Sequence, residues 1–174
     1  MFNESLLFKE EHEVKAKKIM ENLPEARQVI CIAGISGSGK SEVAWWLARK
    51  LYRKNITSHI INLDRFYKVK VDDRTEHRIK TGVIGWQEMD WLKINQEVVN
   101  FHSCYDSFDY LIVEGLYGGY VNSGCFKVFL DAEDTYEFRK LRGKENPDDN
   151  FRKFVLYQEN YSVLKKKDEA DLII

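Results

Sequence analysis

Gly34-Ile35-Ser36-Gly37-Ser38-Gly39-Lys40-Ser41 is the stretch on which the reading of this chain turns. Its fixed positions fit G-x-x-x-x-G-K-[ST]. Glycines let the backbone curl until successive N–H groups face one concavity, which suits phosphate oxygens. Lys40 adds a mobile cation for the outer phosphates, and the Ser41 hydroxyl is an oxygen donor for Mg²⁺. A helix that starts here directs its positive end at the anion. The motif therefore proposes Gly34, Ser36, Gly37, Ser38, Gly39, Lys40 and Ser41 as a nucleotide-phosphate cradle.

The flanks agree with that reading. Upstream, Gln28-Val29-Ile30-Cys31-Ile32-Ala33 is a short apolar, β-branched run, as expected of a buried parallel strand. Downstream, Val43, Ala44, Leu47, Ala48 and Leu51 recur at helical spacing, to about residue 53. Working outward, residues 5–23 read as a charged amphipathic helix with Ala16, Ile19, Met20 and Leu23 on one face, within an N-terminal segment 1–24 closed by Pro24. Residues 57–63 read as a second strand. Residues 64–87 are polar and read as a long irregular loop, part of an acceptor-side region 64–90, and loops of that length are commonly functional. A helix is expected over 89–103, with Trp91, Ile94, Val98 and Phe101 along one side. Strands follow at 109–113 and 126–130, then helices at 133–142 and 148–166. The second of these carries Phe151, Phe154, Val155, Tyr161 and Leu164, and a fifth short strand closes the chain at 170–174.

Strands alternating with helices imply a single domain over 1–174, an α/β/α sandwich around a five-stranded parallel sheet, with an N-terminal helix added. The chain is 44% hydrophobic and 32% charged, which excludes a disordered polymer. A formal net charge of −1 excludes a global electrostatic trap for nucleic acid or anionic membrane. Cys31, Cys104 and Cys125 are odd in number and lack metal-ligand spacing; Cys31 reads as a small core residue and a reducing compartment fits. With no apolar leader or spanning stretch in the sequence, a cytoplasmic protein is expected, and its oligomeric state is left open.

In such sheets ligands bind at the carboxyl ends of the strands. The second expected strand ends at Asp64 and the third at Glu114, followed by Gly115. Both carboxylates then face the phosphates. Asp64 is read as the base that takes a proton from an attacking hydroxyl, and Glu114, Ser41 and Asp64 as the oxygen donors around Mg²⁺. The alternatives are a helix-cap or turn aspartate at 64 and a structural partner to a nearby Lys or Arg at 114. Arg139, Lys140, Arg142, Gly143 and Lys144 form a basic patch within 139–148. It reads as a lid whose Arg139 and Arg142 close on the phosphates, or as surface pairing with Glu133, Asp134 and Glu137. Trp86, Glu88 and Asp90 combine flat apolar walls with polar anchors and, with Tyr67 and Tyr117, are candidate acceptor contacts. Gly118-Gly119 after Tyr117 suggests a mobile tip.

On these residues the chain resembles the uridine kinase and phosphoribulokinase group. The match lies in the loop 34–41, in Asp64-Arg65-Phe66-Tyr67, in Val113-Glu114-Gly115, in Arg139 to Lys144 and in Ala170-Asp171-Leu172-Ile173-Ile174. The resemblance implies a P-loop fold, ATP and Mg²⁺ as cofactors, and a catalytic aspartate at Asp64. It departs from that group at Gly85-Trp86-Gln87-Glu88, where His-Pro is usual. It departs again between Phe101 and Asp109, which leaves no room for the hairpin that grips a pyrimidine, and in a shortened lid. The expectation is a kinase acting on a hydroxyl of a nucleoside, sugar or polyol. The rivals are a gluconate- or adenylylsulfate-kinase-like enzyme and a nucleotide-binding sensor without metabolite kinase activity. No extended basic stripe suits a nucleic-acid substrate.

Overall fold

The computed structural model describes residues 6–25, 28–104, 108–122, 124–133, 135–141 and 149–174. Five parallel strands, β1 (Gln28–Gly34), β2 (Ser58–Asn62), β3 (Tyr110–Glu114), β4 (Phe126–Leu130) and β5 (Leu172–Ile173), lie in the order β2-β3-β1-β4-β5. Helices α1 (Glu10–Glu21), α2 (Lys40–Tyr52), α3 (Arg74–Thr81), α4 (Trp91–Cys104), α5 (Tyr136–Leu141) and α6 (Asn150–Leu164) accompany them.

Alternation along the strands divides the core into two layers. Val29, Cys31 and Ala33 face one side with Leu111, Val113, Phe129 and the α4 residues Ile94, Val98 and Phe101. Ile30 and Ile32 face the other, with Ile112, Val128, Val43, Ala44, Leu47 and Leu51, beneath Ala16 and Ile19 of α1. Each fully buried aliphatic chain of this kind contributes about 1.5–3 kcal/mol relative to exposure. Central strands buried on both faces explain why β1 and β3 read as unbroken apolar runs.

The register positions the site. Gln28 pairs with Tyr110 and Ile32 with Glu114, while Asn62 pairs with Glu114 from the other side. The carboxyl ends of β2, β3 and β1 therefore stand side by side. The chain crosses from β1 to β2 on one side of the sheet and reaches β4 on the other, so a crevice opens beside β1.

Two expectations need correction, and α6 adds a detail that the sequence left open. The region 64–87 is not irregular throughout: it holds α3 and two short 3-10 turns, Leu63–Phe66 and Trp86–Glu88. The α6 face turned inward carries Val155, Glu159 and Val163, whereas Phe154, Tyr161 and Leu164 are exposed. The segment after Tyr117 is packed rather than a mobile tip. A Cβ on Gly118 would meet the Ile32 carbonyl oxygen at 3.0 Å, and one on Gly119 the Lys166 Cβ at 2.8 Å.

Candidate functional site

The loop 34–41 wraps as its glycine spacing demands. Gly37 and Gly39 hold φ of +87° and +81°, which L side chains rarely adopt. The space is also taken. A Cβ on Gly37 would lie 2.8 Å from Arg139 Cγ and 2.9 Å from Thr135 Cβ, and one on Gly39 would lie 2.5 Å from His12 Nε2. α2 begins at Lys40 directly after Gly39, so its first-turn N–H groups lack intrahelical acceptors and end at the loop. The loop is braced from two sides. The Ser36 N–H donates to Asn160 Oδ1 of α6 at 3.3 Å, and Arg139 Nη1 donates to the Ser36 carbonyl at 3.4 Å and to Thr135 Oγ1. Lys40 Nζ folds over the loop and donates to the Ile35 carbonyl at 2.8 Å.

At the adjoining strand ends a hydrogen-bonded chain links the expected acidic groups. Ser41 Oγ lies 3.1 Å from both Glu114 carboxylate oxygens. Asn62 Nδ2 donates to Glu114 Oε1 at 2.5 Å, and Asn62 Oδ1 accepts the Asp64 N–H at 2.7 Å. Asn62 thus sets the spacing of the two carboxylate-bearing residues, a role the sequence reading missed. Its position at the end of β2, opposite Glu114, was the available signal. Gly115 is required next, because a Cβ there would sit 2.6 Å from Leu63 Cβ. Glu114 is 3% exposed. Burial and then the charge of Asp64 push its pKa up to about 7, against the opposing pull of Lys40 and Ser41. Asp64 itself is exposed on the 3-10 turn.

These groups line one cavity of about 1320 Å³. Ligand pockets commonly measure roughly 300–1,000 Å³, so this one has room for two substrates. The loop residues Ser36, Gly37, Gly39, Lys40 and Ser41 form one end, and Asn62, Asp64 and Glu114 the middle. Arg65, Tyr67, Arg74, Arg78, Arg152 and Glu159 form a further wall. Arg78 and Glu159 are buried there. Arg78 Nε and Nη2 grip Glu88 at 2.7 and 2.8 Å, and Nη2 also reaches Glu159 at 2.8 Å. Burial works against the Arg78 charge, but the two carboxylates outweigh it and raise its pKa. Tyr67 has its pKa raised by burial first, then by Glu159 and Asp64.

The sequence candidates divide accordingly. Lys40, Ser41, Asp64, Glu114 and Tyr67 meet in the cavity, and Arg139 backs the loop. Glu88 lies behind the wall, accepting from Arg78 and from the Gly85 N–H at 3.0 Å. Asp90 caps α4 through the Lys93 N–H at 3.3 Å, and Trp86 stacks on Tyr120 at 5.5 Å between ring centroids. Tyr117 is core, 1% exposed, behind Tyr67 at 6.4 Å. Arg142 and most of the expected lid 139–148 lie outside the described residues. Arg74, Arg78, Arg152 and Glu159 went unread as site residues.

The donor set fits Mg²⁺. Among the described residues no cluster of three or more His, Cys, Asp or Glu forms, so no soft or all-protein metal cage is built. Hard oxygen donors, one hydroxyl and two carboxylates beside a phosphate loop, match how Mg²⁺ is usually held, with substrate phosphates completing its shell. Glu114 is buried with the acids Asp64 and Glu42 acting on it and Lys40 as the opposing cation, an excess of negative charge that a bound cation would offset. Among the described residues no helix is long and apolar enough to cross a membrane.

No protein-family model matches the chain, and no curated protein matches it. Its fold does match solved structures. A candidate fructose transport system kinase from Silicibacter sp. TM1040 aligns at 15% identity over 94% of this chain and 98% of its own, with a TM-score of 0.63. A candidate uridine kinase from Bacillus stearothermophilus aligns at 17% identity over 94% and 96%, with a TM-score of 0.58. Shikimate kinase from Bacteroides thetaiotaomicron aligns at 21% identity over 84% and 85%, with a TM-score of 0.50. At these identities the likeness is one of fold. The α/β/α architecture expected from the sequence, and its resemblance to uridine kinase-like proteins, are met at that level.

Proposed function

We propose that the chain is an ATP- and Mg²⁺-dependent kinase that moves the γ-phosphoryl group to a hydroxyl of a small metabolite, with Asp64 as general base. One observation carries the reading. The phosphate loop, the Ser41–Glu114–Asn62 hydrogen-bonded chain and the exposed Asp64 carboxylate line a single cavity with room for two substrates. The kinases that share the fold support the class of reaction and leave the acceptor open.

The loop amides and the first turn of α2 bind the outer phosphates. Lys40 exchanges the Ile35 carbonyl for a phosphate oxygen, a charge-assisted and stronger bond. Arg139 steadies Ser36 and so the cradle. Tyr67 lines the acceptor's approach. Asp64 accepts the hydroxyl proton as the new O–P bond forms and the bond to the ADP oxygen breaks; the proton then passes to solvent. Ser41 and Glu114, with Asp64 as a further oxygen donor, would hold Mg²⁺, which when bound neutralises charge on the phosphates. A reducing, cytoplasmic setting suits the three unpatterned cysteines.

The test is Asp64→Asn in an acceptor screen that reads ADP release. ATP affinity is expected to hold while turnover falls roughly 10²–10⁴-fold, the usual cost of losing a general base. Turnover close to wild type removes Asp64 from that role. ATP binding with no acceptor-dependent turnover in the unsubstituted protein leaves the sensor reading in its place.

A further inference from the structure

We propose that the acceptor carries an anionic group, a carboxylate or a phosphate monoester, recognised by Arg74 with Arg65. This rests on the kinase reading above. Four guanidinium groups line the wall beyond Asp64: Arg65, Arg74, Arg78 and Arg152. Two of them are matched. Arg78 pairs with Glu88 and Glu159 at 2.7 and 2.8 Å, and Arg152 Nη1 lies 3.9 Å from Glu159 Oε2. These two arginines and two glutamates balance. Among the described residues no carboxylate pairs with Arg65 or Arg74. Counting Asp64 of the cavity's middle against Arg65 and Arg74 still leaves one positive charge in excess.

Arg74 is the better placed of the two. Its Cζ lies 3.5 Å from the centroid of the Tyr67 ring, a distance at which the guanidinium rests on the ring face. Stacking holds the plane and leaves the N–H fork free for an oxyanion, which is how arginine recognises carboxylate and phosphate. Its Nε is buried and has no hydrogen-bond acceptor. A buried donor left unmet is costly and calls for a partner. Tyr67 joins the two halves of the acceptor site. It lies under Arg74 and close enough to Asp64 to feel its charge. An acceptor whose anion sits at Arg74 then shares one cavity with the proposed base. The nucleotide end has its own cations, Lys40 on the loop and Arg139 behind it. A neutral polyol would accept hydrogen bonds from this wall but leave its charge unanswered.

The test compares matched acceptors that differ by the anion alone: glycerate against glycerol, gluconate against sorbitol, and ribose 5-phosphate against ribose. Affinity is measured by calorimetry with the purified chain, Mg²⁺ and a non-hydrolysable ATP analogue; turnover is measured separately as ADP release. The charged member of at least one pair is expected to bind about 10-fold or more tightly, and the responding arm tells carboxylate from phosphate. Arg74→Gln is expected to raise that member's KM roughly 10–100-fold, with Arg74→Lys restoring part and the KM for ATP moving less than about two-fold. Equal affinity within every pair, no binding of any anion, or a rise in the KM for ATP with the acceptor KM unchanged overturns the proposal. The kinase reading fails separately. Anion binding lost in Arg74→Gln but never followed by ADP release sinks that reading and keeps the anion site, whereas turnover of neutral acceptors alone does the reverse.

Discussion

Replacing Arg78 by Met is the sharpest stability test of the acceptor wall. Arg78, Glu88 and Glu159 side chains are 6%, 5% and 7% exposed, so water does little to screen them. Removing the guanidinium does not strand the two acids equally. Glu159 keeps Arg152 at 3.9 Å, while Glu88 keeps the Gly85 N–H at 3.0 Å and loses its only cation among the described residues. Breaking one side of a buried ion pair costs about 3–5 kcal/mol, because an uncompensated charge remains inside. Against a typical total stability of about 5–15 kcal/mol, that is a large fraction. The assay is urea denaturation followed by circular dichroism, without nucleotide, at pH 7.5. Arg78→Met/Glu88→Gln is expected to be less destabilised than Arg78→Met alone, and the Arg78→Met penalty to ease as pH falls and the stranded carboxylate takes up a proton. Lys17→Met serves as the comparison: it breaks an exposed 3.8 Å pair with Glu21 and is expected to cost no more than about 0.5 kcal/mol. An Arg78→Met cost below about 1 kcal/mol, or no relief in the double variant, would refute the claim that this network holds the wall together.

Glu114 predicts a pH signature in metal-free buffer. Its pKa rises from the usual 4.5 to about 7 on folding, so the folded chain keeps a proton that the unfolded chain releases. The stability this contributes is complete below pH 4.5 and is lost as pH rises through about 7. Glu114→Gln, in chelator, should flatten the fall in thermal midpoint between pH 5.5 and 8, and parallel curves for the two proteins would contradict it. Gly37→Ala meets both a φ of +87° and the Arg139 and Thr135 side chains. It is expected to destabilise the chain by about 1–3 kcal/mol and to abolish ATP binding by calorimetry, and Gly37→Ala/Arg139→Ala should not restore binding, since the backbone strain remains. Recovery in that double variant would show that crowding alone was at fault.

The phosphate end was legible because its information is local and periodic. Eight consecutive residues set the loop, the β1 run before it is apolar on both faces, and Val43, Ala44, Leu47 and Leu51 mark the helix after it. The acceptor end was not legible for a physical reason. α3 reads Arg-Thr-Glu-His-Arg-Ile-Lys-Thr, and the residue it buries is Arg78 while Ile79 is exposed. A search for apolar periodicity passes over a helix whose inward residue is charged. The same cause hid the inner face of α6, where Glu159 is turned in between Val155 and Val163 while Phe154 and Tyr161 are exposed. Asn62 was passed over because an amide at a strand end carries no signal until the register sets it against Glu114.

This difference in coding has a consequence for how the site divides its work. The nucleotide half depends on backbone shape, which tolerates few residue types at Gly37 and Gly39. The acceptor half depends on side chains from α3, the turn 86–88 and α6, joined by Arg78 across 81 residues of sequence to Glu159. The two halves share few groups: Asp64 and Glu114 stand between them, tied by Asn62. A change in α3 that keeps Arg78 paired therefore alters the charge presented on that wall while the loop, Ser41, Glu114 and Asp64 keep their positions. On the proposed reading, acceptor choice in this chain follows from which arginines on that wall are left without a glutamate, and among the described residues those are Arg65 and Arg74.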